Sequence, residues 1–134
     1  MAQRVKEQTM ASTARPTDIK LHQKSRILEV TFDDGCHFEM PCEYLRVYSP
    51  SAEVRGHGPG QEVLQIGKEN VNIDAIDPVG TYAVVFRFDD GHDTGIYSWD
   101  TLYDLGKNKS KYWHDYLRRL EDAGKQRGPQ PYDA

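Results

Sequence analysis

Apolar stretches are short throughout this 134-residue chain. None approaches the ~20 residues that span a bilayer. The start, Met1-Ala2-Gln3-Arg4-Val5-Lys6-Glu7-Gln8, is charged and has no apolar segment behind it, so it does not read as a secretory leader. Cysteine is nearly absent: Cys36 and Cys42 are too few for a disulfide framework and fit a reducing compartment. The expected location is the cytoplasm. Basic charge is nowhere concentrated, because Lys and Arg alternate with Asp and Glu at a net charge of −4. That argues against a nucleic-acid binder, which needs a clustered cationic face. With 37% hydrophobic residues and a mean hydropathy of −0.76, one domain with a modest core and a polar surface is expected.

What the chain does have is the same phrase twice. Phe-Asp-Asp-Gly stands at Phe32 to Gly35 and again at Phe88 to Gly91. Each copy ends a β-type run, Ile27 to Phe32 and Tyr82 to Phe88. Each is followed by a short second run and a helix start, near Pro41-Cys42-Glu43-Tyr44-Leu45 and Ser98-Trp99-Asp100-Thr101-Leu102. Asp-Gly predicts a type I′ hairpin turn, in which both central residues take positive φ. Alternation places Leu28, Val30 and Phe32 on one face, and likewise Cys36, Phe38 and Met40, and Tyr82, Val84, Phe86 and Phe88. Ile19 to His22, Val63 to Ile66 and Val71 to Ile76 read as further strands, the last closing at Asp77-Pro78-Val79-Gly80.

The Ser49–Gly60 stretch, with three glycines and two prolines, predicts a long loop without a helix or central strand. Ser98 is placed to cap a helix that Gly106 ends. Trp113, Tyr116, Leu117 and Leu120 repeat at helical spacing in a second helix that stops at Gly124. The fold class is α+β: a mostly antiparallel sheet built from two strand–turn–strand–helix units, with C-terminal helices. Residues 1–17 read as a mobile arm, 18–124 as the single domain and 125–134 as a flexible tail.

Cys36, His37, Cys42, His57 and His92 are the residues that invite a metal. The five residues between the cysteines do not match the C-x₂₋₄-C of zinc knuckles, and Cys36 lies on an apolar strand face. No nucleophile elbow surrounds Ser49, Ser51 or Ser98. Gly56 to Gly60 is neither a Walker loop nor a dinucleotide fingerprint. No catalytic residue, cofactor or metal ligand is therefore assigned. The stretch Arg46, Tyr48, Ser49, Ser51, Arg55 and His57 mixes interface-type side chains in a Gly/Pro loop, and with His92 and Trp99 it is the expected partner-binding surface.

Leu45-Arg46 with its loop, then Asp89-Asp90-Gly91-His92 through Ile96-Tyr97-Ser98-Trp99 and Leu102, resembles the gamma-butyrobetaine hydroxylase-like N-terminal domain. The likeness runs from about Asp18 to Leu120, and Tyr44 to Gly58 is similar to small stand-alone bacterial members of unknown function. In the hydroxylases this module precedes an iron/2-oxoglutarate domain. The resemblance implies that a chain of this length, with no facial-triad pattern, is not an enzyme. It also implies that the thiolates of the hydroxylases' structural zinc fall on Ser49, Ser51 and Val54, and its imidazole on His92. Similar domains are fused to P-loop iron–sulfur carriers, which suggests an unidentified protein partner among iron–sulfur or redox-maturation components. The expected function is a non-catalytic interaction module. The alternative is a metal- or small-ligand-binding protein using Cys36, Cys42, His57 and His92.

Overall fold

A computed structural model of the chain describes residues 14–56 and 60–127. Alternation produces the first sheet from β1 (Pro16–His22), β2 (Ile27–Phe32) and β3 (His37–Pro41). They are antiparallel in that order. The helix α1 (Cys42–Val47) begins directly after Pro41, whose fixed φ of −61° suits the position before a helix. The plan then repeats as β4 (Ile73–Val79), β5 (Ala83–Phe88), β6 (Ile96–Ser98) and α3 (Trp99–Lys107), again an antiparallel sheet in chain order. A single turn, α2 (Ala52–Arg55), and the long α4 (Lys109–Asp122) complete the fold.

The two Phe-Asp-Asp-Gly turns are built alike, but they are not the expected type I′. In each, the Gly N–H returns to the Phe carbonyl, at 3.0 Å for Gly35 and 3.1 Å for Gly91. The Phe N–H reaches the carbonyl of the residue after the glycine, 2.8 Å to Cys36 and 3.0 Å to His92. Only the glycines have positive φ, +89° and +90°, and neither turn's aspartates do. This is the three-residue hairpin, a type I turn closed by a left-handed glycine. The aspartates are left free for hydrogen bonding. Asp34 Oδ1 accepts the Cys36 N–H at 2.9 Å and Asp90 Oδ1 the His92 N–H at 3.1 Å. Asp33 and Asp89 pair with the backbones of Arg15 and Asn72, where the chain enters each unit.

Neither three-stranded sheet can bury an apolar face alone. Leu28, Val30, Phe32 and Met40 from the first sheet and Ile73, Val84, Phe86, Phe88 and Tyr97 from the second therefore share one core, closed by Leu45 and Leu102 from equivalent positions of α1 and α3. Val47, Tyr116 and Leu120 form a smaller cluster beneath α4. Ser98 caps α3 as expected, accepting the Thr101 N–H at 3.1 Å. The α4 helix ends in a Schellman pattern at Gly124, with Lys125 N–H on Leu120 O and Gly124 N–H on Glu121 O.

Several sequence expectations are corrected. Gly106 does not end α3 but lies inside it, where a Cβ would stand 2.4 Å from Phe38 Cγ, so it serves β3–α3 packing. Val63 to Ile66 forms no strand; it is held by the Val63 N–H on Val54 O at 2.8 Å. The Ser49–Gly60 stretch contains α2, because Ser51 and the four residues after it form the longest run there uninterrupted by Gly or Pro. β4 runs through Pro78, which an edge strand tolerates because its N–H is not needed by a neighbour. Tyr82 precedes β5 and is exposed. Within the expected arm, Pro16 already belongs to β1 and Ala14 is buried. Within the expected tail, Arg127 makes a two-pronged contact with buried Glu43 at 2.7 and 2.9 Å.

Adding a Cβ at Gly35 or Gly91 meets nothing within 4 Å. Gly35→Ala and Gly91→Ala are therefore expected to lose only the backbone term, about 1–2 kcal/mol each. Their effects should add in a double variant followed by urea unfolding.

Candidate functional site

The short α1 helix aims Arg46 away from its own sheet toward the second turn. Its guanidinium is buried: Nε donates to Asp90 Oδ2 at 2.8 Å and Nη1 to Gln65 Oε1 at 3.0 Å. Lys68 Nζ joins the same Asp90 oxygen at 2.7 Å. Burial works to raise the Asp90 pKa, but Lys68, the His92 N–H and Arg46 outweigh it and bring it down to about 2.

Beside this ion pair lies a second polar group. His92 Nε2 is 2.8 Å from Ser49 Oγ and 3.4 Å from Ser51 Oγ, and its Nδ1 is 2.9 Å from Glu53 Oε1. Thr94 Oγ1 donates to the same Glu53 oxygen at 3.1 Å. Burial and the Arg46 cation hold the imidazole below its ordinary pKa, against the opposing pull of Glu53 and Asp90. A neutral ring fits these partners when Nδ1–H donates to Glu53 and Nε2 accepts the Ser49 hydroxyl.

Hydroxyl, imidazole and carboxylate thus stand in the order of a nucleophilic triad, which reading the sequence missed. The local signal that would have found it, a serine elbow, is not present; Ser49 and Glu53 come from one short stretch and His92 from the distant β5–β6 turn. Reaction needs room at the hydroxyl and donors for an oxyanion. Ser49 is 1% exposed, and a Cβ at Gly95 would lie 2.3 Å from its Oγ, so backbone packs directly against it. The Ser49 N–H goes to Arg46 O and the Ser51 N–H to Ser49 Oγ, both at 3.3 Å. The group works as a clasp between the α1–α2 connection and the β5–β6 turn.

The remaining expected residues are placed as follows. Tyr48 is half-buried and donates to Tyr112 O at 2.7 Å. Trp99 is half-buried with Nε1 on Thr81 O at 2.8 Å. Arg55 is exposed, and His57 lies outside the described residues. Arg46, Ser49, Ser51 and His92 are all buried with internal partners, so the expected docking surface is corrected to its accessible part. The thiols do not join them. Cys42 Sγ faces Asn72 Oδ1 at 3.8 Å in the core, and burial pushes its pKa up to about 11. Cys36 Sγ is 3.4 Å from the Tyr103 hydroxyl. Among the described residues, neither cysteine belongs to a metal-type cluster.

The sequence pattern described as "Gamma-butyrobetaine hydroxylase-like, N-terminal" matches residues 19–103. The chain belongs to this family. No curated protein matches it. Similar structures include an NMR solution structure at 52% identity and TM-score 0.76, covering 97% of this chain and 92% of that one. A second NMR structure is 47% identical at TM-score 0.74, covering 86% and 90%. A crystal structure of an Acidithiobacillus ferrooxidans protein of unknown function, from the DUF971 family, is 35% identical at TM-score 0.59, covering 72% and 94%. In this gamma-butyrobetaine hydroxylase-like domain, three of the four positions that the resemblance assigns to zinc do converge, as Ser49, Ser51 and His92. They do not fit the ion: two hydroxyls and the Val54 methyls replace thiolates, and His92 Nε2 is already bonded to Ser49.

Arg46→Met should cost about 3 kcal/mol, because it leaves Asp90 short of its buried cation. Arg55→Ala should stay within about 0.5 kcal/mol. Urea unfolding of both variants separates the structural arginine from the surface one. Acid should weaken the fold in two steps. His92 has a depressed folded pKa, so stability falls as pH drops below about 6.5, where the unfolded chain takes the proton first. The Asp90 contribution is present above its unfolded value near 3.8 and is lost as pH falls toward about 2. In unfolding midpoints measured against pH, His92→Gln should flatten the first step and Asp90→Asn should reduce the second.

Proposed function

We propose that this chain is a non-catalytic accessory module that docks an extended segment of a partner protein. The docking site is a cleft of about 680 Å³ lined by Tyr48, Val54, Arg55, Val63, Tyr112 and Arg119 among others. It lies beside the buried clasp, which sets the course of the α1–α2 connection along one wall. Two tyrosines and two arginines around valines are the side-chain types that anchor interfaces. Val63 is 51% exposed at its lip, an apolar side chain left in water.

Arg119 carries the reading. Its Nε is buried and donates no hydrogen bond among the described residues. The nearest carboxylate, Asp115, is 3.6 Å away, and the guanidinium lies over the Tyr48 ring at 5.7 Å. A buried donor without an acceptor costs free energy that an incoming carbonyl or carboxylate recovers. The fitting occupant is a peptide with an acceptor for Arg119 and an apolar residue for Val54 and Val63. The resemblance to domains fused with iron–sulfur carriers suggests that the partner belongs to iron–sulfur or redox-enzyme maturation.

Capture from an extract of the source cells, quantified by mass spectrometry, tests this. Arg55→Glu and Val63→Asp should each lower the specific partner on the order of tenfold or more. Asp74→Lys, on exposed β4, should leave it unchanged. Equal capture by all three variants would sink the proposal.

A further inference from the structure

The outer face of the first sheet holds a group of side chains that the docking reading does not use. Strand alternation sends Ile19, Leu21, Leu28, Val30, Phe38 and Met40 to the core. The intervening residues therefore point outward. On that face Glu29 of β2 stands directly opposite Glu39 of β3, and His37 is next along β3. One donor atom from each of Glu29, His37 and Glu39 lies within 4.8 Å of the others. Donors around a zinc-sized ion at about 2.0–2.2 Å must come closer than this, and half-exposed side chains reach such positions by small rotations.

Two further observations point to a ligand. Like charges directly opposite across a strand pair are destabilising, so a Glu–Glu pair calls for a cation between its members. Of the nearby lysines, Lys20 stands directly across from Glu29 on β1 and eases its charge, with Nζ 3.5 Å from Asp18, while Lys109 Nζ donates to the Glu39 main-chain oxygen at 2.6 Å. Two of the three groups, His37 and Glu29, are also oriented from behind. Thr31 Oγ1 is 3.0 Å from His37 Nδ1, which fixes the ring when Nδ1 carries the proton and turns the Nε2 lone pair outward. His22 Nε2 is 2.8 Å from Glu29 Oε1, leaving Oε2, 3.0 Å from His37 Nε2, on the side of the cluster. Such outer-shell partners hold ligands in metal sites.

We propose that this face binds one first-row divalent cation of the zinc class, with His37 Nε2, Glu29 Oε2 and a Glu39 carboxylate oxygen as ligands. Water completes the shell, and His22 and Thr31 are positioning residues. A mixed imidazole and carboxylate donor set suits such borderline ions better than calcium, which takes oxygen alone. The two carboxylates balance the charge of the ion.

The test uses the full, untagged chain, stripped with chelator. Zn²⁺ is titrated by calorimetry, and Co²⁺ is followed by its visible absorption. One saturable equivalent is expected. His37→Asn and Glu39→Gln should each weaken binding on the order of tenfold or more, and His22→Gln should weaken it less. His114→Ala, on α4, should leave it unchanged. Far-UV circular dichroism and metal-free unfolding of each variant should match the parent, because these side chains are outside the core. Absence of saturation by about 1 mM ion overturns the proposal. So does binding that survives His37→Asn with Glu39→Gln but disappears with Cys36→Ser or Cys42→Ser.

Discussion

Each half of this molecule is held by the other half's turn. Asp90, in the second Phe-Asp-Asp-Gly turn, accepts Arg46 from the helix of the first unit. Asp34, at the equivalent place in the first turn, accepts the Tyr103 hydroxyl at 2.6 Å from the helix of the second. Arg46 and Tyr103 each follow the buried leucine of their helix, Leu45 and Leu102, by one residue. The exchange is reciprocal but unequal. Arg46 brings a full charge into a largely buried pair with Asp90, whereas Tyr103 brings a neutral hydroxyl to an exposed turn. Directional contacts of this kind set the register of two small sheets whose apolar faces alone would tolerate sliding.

That asymmetry explains why the polar chemistry gathers at one turn. At the first turn, the residue after glycine is Cys36, whose thiol lies beside the Tyr103 hydroxyl and whose N–H goes to Asp34. At the second it is His92, and the α1–α2 connection comes close enough to bring Ser49, Ser51 and Glu53 around it. The connection is pinned there by a ring whose pKa is held below its ordinary value by burial and the Arg46 cation. Its outer side is left to form a wall of the cleft. A hydroxyl–imidazole–carboxylate order by itself is not a reactive site. Here Gly95 occupies the space that a substrate would need, and the nearby N–H groups are already bonded.

The duplicated plan could be read from the residues because it is written in local terms: period-two alternation, Asp-Gly turns, and Pro41 and Ser98 before helices. The turn type was misread because Asp-Gly is compatible with two hairpins. The choice between them depends on whether the preceding aspartate is wanted as an acceptor, which is settled by Arg46 and Tyr103 arriving from elsewhere. Gly106 was misread for a similar reason. Its missing Cβ serves Phe38 from a distant strand rather than the helix's own end. Val63 to Ile66 alternates like a strand, but its Val63 N–H goes to Val54 O and it pairs with neither sheet. The residues expected to meet a partner were legible as a group, but their burial was not. Arginine, serine and histidine in a Gly/Pro loop look exposed until their acceptors and donors are known.

The sequence by itself determined the fold class, the two equivalent units and the capping of α3 by Ser98. Each rests on residues within a few positions of one another. Only the tertiary structure decided which polar side chains face water. Burial of Arg46 and His92 depends on Asp90, Gln65, Ser49 and Glu53, which lie far along the chain from one or the other. It also decided that Glu29, His37 and Glu39 share one spot on a sheet. That meeting is a matter of strand register, and register is set by the shared core and the turns rather than by the three residues themselves.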